Sequence, residues 1–69
     1  QAEIRAAVQS ALLRLPAPNR EVVVLRHFAG LSYREIAETL DVPEKTVKSR
    51  LYEARQQLGD LLQCWRAER

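Results

Sequence analysis

An all-α domain is predicted for this 69-residue chain, and three features of the sequence predict it. Helix formers (Ala, Leu, Glu, Arg, Gln) dominate, whereas only two Gly and three Pro punctuate the chain. Apolar residues recur at three- and four-residue spacing along most of its length. Clear breaks divide that pattern into four segments: Pro16-Ala17-Pro18, Gly30, and the turn Asp41-Val42-Pro43. The length admits one domain, residues 1–69. Its core is expected to be thin, since a chain of this size buries only about 60% of its unfolded surface.

The first helix is expected over Ala2 to Leu15, with Ile4, Val8, Ala11, Leu12 and Leu15 on one face. Pro16 and Pro18 end it. Asn19 is then a candidate N-cap for a second helix of about ten residues, whose apolar residues are Val22, Val23, Val24, Leu25 and Phe28. Three successive valines also suit a strand, but the flanking prolines and Gly30 favour a short helix. The third helix has the clearest start. Ser32 and Glu35 form an S-x-x-E capping box, and Leu31 is placed to staple onto Ile36. This helix turns Tyr33, Ile36, Ala37 and Leu40 inward and ends near Asp41. Pro43 suits the first position of the fourth helix, which runs to at least Leu58. Gly59 either caps that helix or lies within it on the way to Trp65.

Several function classes are disfavoured. There is one histidine, His27, no Gly-rich phosphate loop and no Cys/His metal spacing, so neither an enzyme nor a metal or cofactor protein is expected. His27, beside Phe28, reads as a boundary histidine. Cys64 is the single cysteine, which excludes an internal disulfide and fits a reducing cytoplasm. No apolar run approaches the ~20 residues that span a bilayer, so no membrane partner is expected. The chain begins at Gln1 and lacks Met, and it is therefore read as a piece of a longer protein.

Function is expected in the segment 32–58. Two helices joined by a tight turn, with small Ala37 at the crossing and Val42 in the turn, have helix-turn-helix dimensions. At about 100° per residue, Val47, Leu51, Ala54 and Leu58 form the inner arc of the fourth helix. Lys45, Ser49, Tyr52 and Gln56 lie opposite, with Lys48 and Arg55 on one flank. Cations, a hydroxyl, an amide and an aromatic are groups that read base edges and hold phosphates in a major groove. Lys45, Lys48, Ser49 and Tyr52 are base-reading candidates. Arg55 and, on the third helix, Arg34 are phosphate candidates. Arg50, near the core boundary, suits either an ion pair or DNA. Glu44 suits a cytosine amino group or the helix dipole. A protein-interaction module is the main alternative class, with the valines of the second helix and Leu61, Leu62, Cys64 and Trp65 as its apolar surface.

The stretch LPAPNREVVVLRHFAGLSYREIAETLDVPEKTVKSRLYEARQQL, Leu15 to Leu58, resembles region 4 of bacterial sigma factors, especially the extracytoplasmic-function group. The resemblance implies a four-helix domain of winged-helix-like or homeodomain-like build that binds the promoter −35 element as double-stranded DNA through its last helix. It also implies docking on the beta flap of core RNA polymerase and, in many members, sequestration by an anti-sigma factor. No small-molecule substrate is implied. Lys45, Thr46, Lys48, Ser49, Arg50 and Tyr52 fall at the family's DNA-facing positions. Where the family usually has Gly, this chain has Asp41, a residue that tolerates the left-handed conformation but places a carboxylate near DNA. The segment LSYREIAETLDVPEKTVKSRL also resembles the carboxyl-terminal domain of two-component response regulators. The continuation SRLYEARQQL and the opening LP favour the sigma reading.

Overall fold

Pro16 decides where the first helix stops. In a computed structural model, which describes the backbone of residues 2–67 and the side chains of residues 5–61, α1 spans Ala2–Leu13. It ends two residues short of the predicted Leu15, because the residue before a proline is pushed out of the helical region. The last turn tightens instead, with Arg14 N–H donating to Ala11 O (3.1 Å) and Leu15 N–H to Leu12 O (3.1 Å). Leu15 still reaches the core, along with Ala11 and Leu12.

The second helix corrects the expectation for Asn19. α2 spans Ala17–Val23 and is entered through Pro16 at φ −56° and ψ 145°, without a side-chain cap. Pro18 is tolerated in the first turn because its missing N–H would have had no intrahelical partner. Asn19 lies inside the helix, only 3% exposed, and its side chain is engaged elsewhere. Beyond Val23 the helix widens into a π turn, Val24–Phe28, where Ala29 N–H donates to Val24 O at 3.1 Å. Gly30, at φ +75°, then reverses the chain as predicted, and Leu31 N–H reaches back to Leu25 O (3.0 Å).

This second segment does not bury all its apolar residues. Val22 and Val23 are in the core and Leu25 packs against it, whereas Val24 is 39% and Phe28 67% exposed. Successive residues turn by about 100°, so three adjacent valines cannot share one face. Val24 points away from Val22, and Phe28 follows it one turn later. His27 is exposed beside them rather than at the core boundary.

α3, Tyr33–Leu40, begins with the predicted capping box. Glu35 N–H donates to Ser32 Oγ (3.1 Å) and Ser32 N–H to Glu35 Oε1 (2.8 Å). The hydrogen bond from Ser32 N–H, with the Ser32 hydroxyl beside it, holds the Glu35 carboxyl below its ordinary pKa. The helix closes on Asp41 at φ 57° and ψ 50°, with both Asp41 N–H and Val42 N–H directed at Ala37 O. That is a Schellman arrangement whose left-handed position is filled by a residue with a Cβ. Asp41→Gly is therefore expected to raise the melting temperature by several degrees, equivalent to up to about 1 kcal/mol. An unchanged or lower Tm in a thermal scan would count against strain at this turn.

α4 spans Glu44–Ala67. Pro43 precedes it by one residue instead of opening it, and its carbonyl accepts from Thr46 N–H (2.9 Å) and Val47 N–H (3.3 Å). Gly59 lies within the helix and is not a cap. The side chains of Leu62, Cys64 and Trp65 lie outside the described residues, as does that of Ile4.

The core gathers around α4, which packs against α1, α2 and α3. Val47, Leu51 and Ala54 meet Ile36 and Ala37 of α3, Val22 and Val23 of α2, and Leu12 and Leu15 from the end of α1. Val8, Leu25, Leu31, Tyr33, Leu40, Val42 and Leu58 close its margins. The architecture is all-α, with four helices among the described residues and α3-turn-α4 forming a helix-turn-helix.

Candidate nucleic-acid interface

The outer face of α4 follows from what its inner face buries. Val47 and Ala54 are fully buried and Leu51 is 1% exposed, which fixes the rotation of the helix about its axis. Lys45, Ser49, Tyr52 and Gln56 are consequently exposed on the far side, and Lys48 and Arg55 are exposed on the flank. Tyr52 is 66% exposed, so its ring and hydroxyl are both open to a partner on this face. Thr46 and Arg50 are half-buried along the opposite flank. Glu44 stands in the first turn, where a carboxylate complements the positive end of the helix dipole.

Among the described residues the single ion pair joins Arg34 Nε to Glu38 Oε2 at 3.6 Å, an i,i+4 contact on the exposed side of α3. The two side chains are 82% and 68% exposed, so the pair contributes little and leaves Arg34 free to exchange partners. Lys45, Lys48, Arg50 and Arg55 pair with no carboxylate among the described residues. Of the two roles open to Arg50, the ion pair is not formed among the described residues. The structure brings Lys45, Lys48, Ser49, Tyr52 and Arg55 onto one stretch of a single helix, with Thr46 and Arg50 at its edge. Arg34 stands apart from them, on α3.

Two positioning elements escape a reading of the sequence. Asn19 Nδ2 donates to Glu53 Oε1 (3.0 Å) and to Gln57 Oε1 (2.9 Å), tying the start of α2 to two successive turns of α4. Arg26 donates to Leu31 O (3.1 Å) and lies over the Tyr33 ring, 5.0 Å from its centroid, which holds the chain reversal ahead of α3. A buried asparagine without a cap role has no local signature. An Arg seven residues before a Tyr across a glycine has only a weak one.

Among the described residues there is no cluster of potential metal ligands, and no helix is long and apolar enough to cross a membrane. The arrangement instead offers what a major groove requires: a helix about one turn from a tight corner, presenting unpaired cations and hydrogen-bonding side chains.

Comparison with known proteins agrees with this geometry. The family model for sigma-70, region 4 matches residues 5–58, which take in most of α1, all of α2 and α3, and α4 as far as Leu58. The chain is 51% identical over 57 residues to the ECF RNA polymerase sigma factor SigE of Mycolicibacterium smegmatis, covering 83% of this chain and 22% of that protein. It is 41% identical over 61 residues to the RNA polymerase sigma-H factor of Pseudomonas aeruginosa, covering 88% of this chain and 32% of the relative. The ECF RNA polymerase sigma-E factor of Escherichia coli is 39% identical over 61 residues, with the same two coverages of 88% and 32%. The chain thus spans between a fifth and a third of the length of these relatives. A helix-turn-helix built on these four helices, with this match along its length, belongs to the sigma-70 region 4 family, of the extracytoplasmic-function type.

Proposed function

We propose that this domain is the promoter-reading part of an RNA polymerase sigma factor, binding the −35 element as duplex DNA through α4 and directing transcription initiation on core RNA polymerase. The observation that carries this reading is the outer face of α4, where Lys45, Lys48, Ser49, Tyr52 and Arg55 stand exposed with no carboxylate partner among the described residues. The names of the relatives support it. Lys45, Lys48, Ser49 and Tyr52 lie toward the N-terminal half of the helix and take the base-reading roles. Thr46 and Arg50 line the edge. Arg55 and Arg34 hold phosphates, positioning the helix without reading sequence. The domain acts in the cytoplasm, where the promoter and the polymerase are, and catalyses nothing itself.

Selection of a randomised duplex pool at low salt is the direct test. A short preferred motif is expected, with Lys48→Ala and Ser49→Ala each weakening its binding by about tenfold and relaxing the preference at their own positions. A folded domain that enriches no motif would overturn the reading.

A second activity has its own observation. Phe28, Val24 and Leu13, at 67%, 39% and 73% exposure, are large apolar side chains left outside the core. They suit a protein partner, either the beta flap of the polymerase or an anti-sigma factor. Lys48→Ala and Ser49→Ala should leave such binding intact, which separates the two activities.

A further inference from the structure

Glu53 is the one carboxylate of α4 between Glu44 in its first turn and Asp60. Its neighbours one turn back are Ser49 (i−4) and Arg50 (i−3), both assigned above to DNA. An Arg and a Glu three apart on a helix ordinarily pair, and a serine hydroxyl at i−4 is within reach of the same carboxylate. Neither contact forms in this structure. Glu53 Oε1 instead accepts from Asn19 Nδ2 at 3.0 Å, and the same amide donates to Gln57 Oε1 at 2.9 Å.

Burial decides this competition. Asn19 is 3% exposed, so an amide hydrogen left without an acceptor could not turn to water, whereas Arg50, half-buried, and Ser49, exposed, can. Glu53 is therefore drawn toward α2 and away from the face that carries Ser49.

We propose that Asn19 is a positioning residue for DNA recognition: its buried amide holds the Glu53 carboxylate off Arg50 and Ser49 and leaves both free to meet DNA. The inference rests on the DNA-binding reading above. It assigns a role in recognition to a residue on α2, outside the helix-turn-helix.

The variant to make is Asn19→Leu, which keeps the branched outline of the side chain, removes both donors and suits a site bordered by the core. It is expected to bind the selected duplex two- to fivefold more weakly, the scale of an exposed ion pair competing for Arg50. In the Glu53→Gln background the same substitution should have no effect. A loss that persists with Gln at position 53, or no loss with Glu there, would overturn the proposal. A nuclear magnetic resonance measurement on the free domain needs no change at Asn19. The Arg50 Nε–Hε signal should be the same in the wild type and in Glu53→Gln, and a clear shift would mean that Glu53 already engages Arg50. If the wild type binds no duplex at all, the DNA reading fails, while a comparison of the Arg50 signal in wild type and in Asn19→Leu still decides whether Asn19 keeps the two side chains apart.

Discussion

Asn19→Asp should destabilise this domain by about 3 kcal/mol at neutral pH, close to half of what a chain of this length has in total. The substitution is nearly isosteric, so packing is not the cause. The asparagine side chain is buried and gives one amide hydrogen each to Glu53 and Gln57. A carboxylate there has no hydrogen to give and faces the Glu53 carboxylate across about the same 3.0 Å. Burial and the like charge both favour its protonated form, raising its pKa in the folded state. A group whose folded pKa is raised is tolerated below its unfolded value and opposes folding as pH climbs, so the deficit should shrink as pH falls through the raised folded pKa and be gone below about pH 4. Adding Glu53→Gln should recover at least half of the loss at neutral pH, because a glutamine amide can donate to the new carboxylate. Urea unfolding followed by circular dichroism measures both. An Asn19→Asp variant within about 0.5 kcal/mol of wild type would mean that the tether is not maintained in solution.

Binding of the isolated domain to its preferred duplex should fall roughly 100-fold between 50 and 200 mM salt and be micromolar or weaker at physiological salt. The estimate follows from the cations that α4 leaves unpaired, Lys45, Lys48, Arg50 and Arg55. Four cations brought onto the duplex, each releasing a counterion, give a slope of log K against log salt near −3.6, about −0.9 apiece. Arg55→Ala should flatten that slope by about one while leaving the preferred motif unchanged, as expected of a phosphate contact. Fluorescence anisotropy across a salt series measures the slope directly. Nanomolar, salt-insensitive binding by this domain alone would contradict the account. Weak binding is consistent with the charge balance of +2, which gives little attraction beyond the face of α4. Tight promoter recognition then has to come from tethering to a second DNA-contacting domain or to polymerase, which raises the effective concentration.

The helix-turn-helix was the most legible part of the chain, because each of its signals acts over a few residues. The Ser32–Glu35 box spans one turn, the left-handed Asp41 closes α3 onto Ala37, and Val47, Leu51 and Ala54 repeat at helical spacing. The inner and outer faces of α4 follow from that repeat alone, and with them the exposed positions of Lys45, Lys48, Ser49, Tyr52 and Arg55. Where local signals competed, the sequence was less decisive. Gly59 can cap a helix or sit inside one, and its roughly 1 kcal/mol helix cost did not stop α4.

Residue order alone set the helices, the corner between α3 and α4, and the side of α4 that meets solvent. All of these depend on contacts within about one helical turn or on a periodic pattern that any core would read the same way. What lies across from a given residue was settled by packing between helices. Asn19 has the local profile of a cap, yet it is spent on Glu53 and Gln57, 34 and 38 residues away. Val24 and Phe28 have the profile of core residues, yet they stand outside because the helix turns the face carrying Val22 and Val23 toward the core. A short polar or apolar side chain has several acceptable local fates, and the choice among them is made by distant parts of the chain that share its burial.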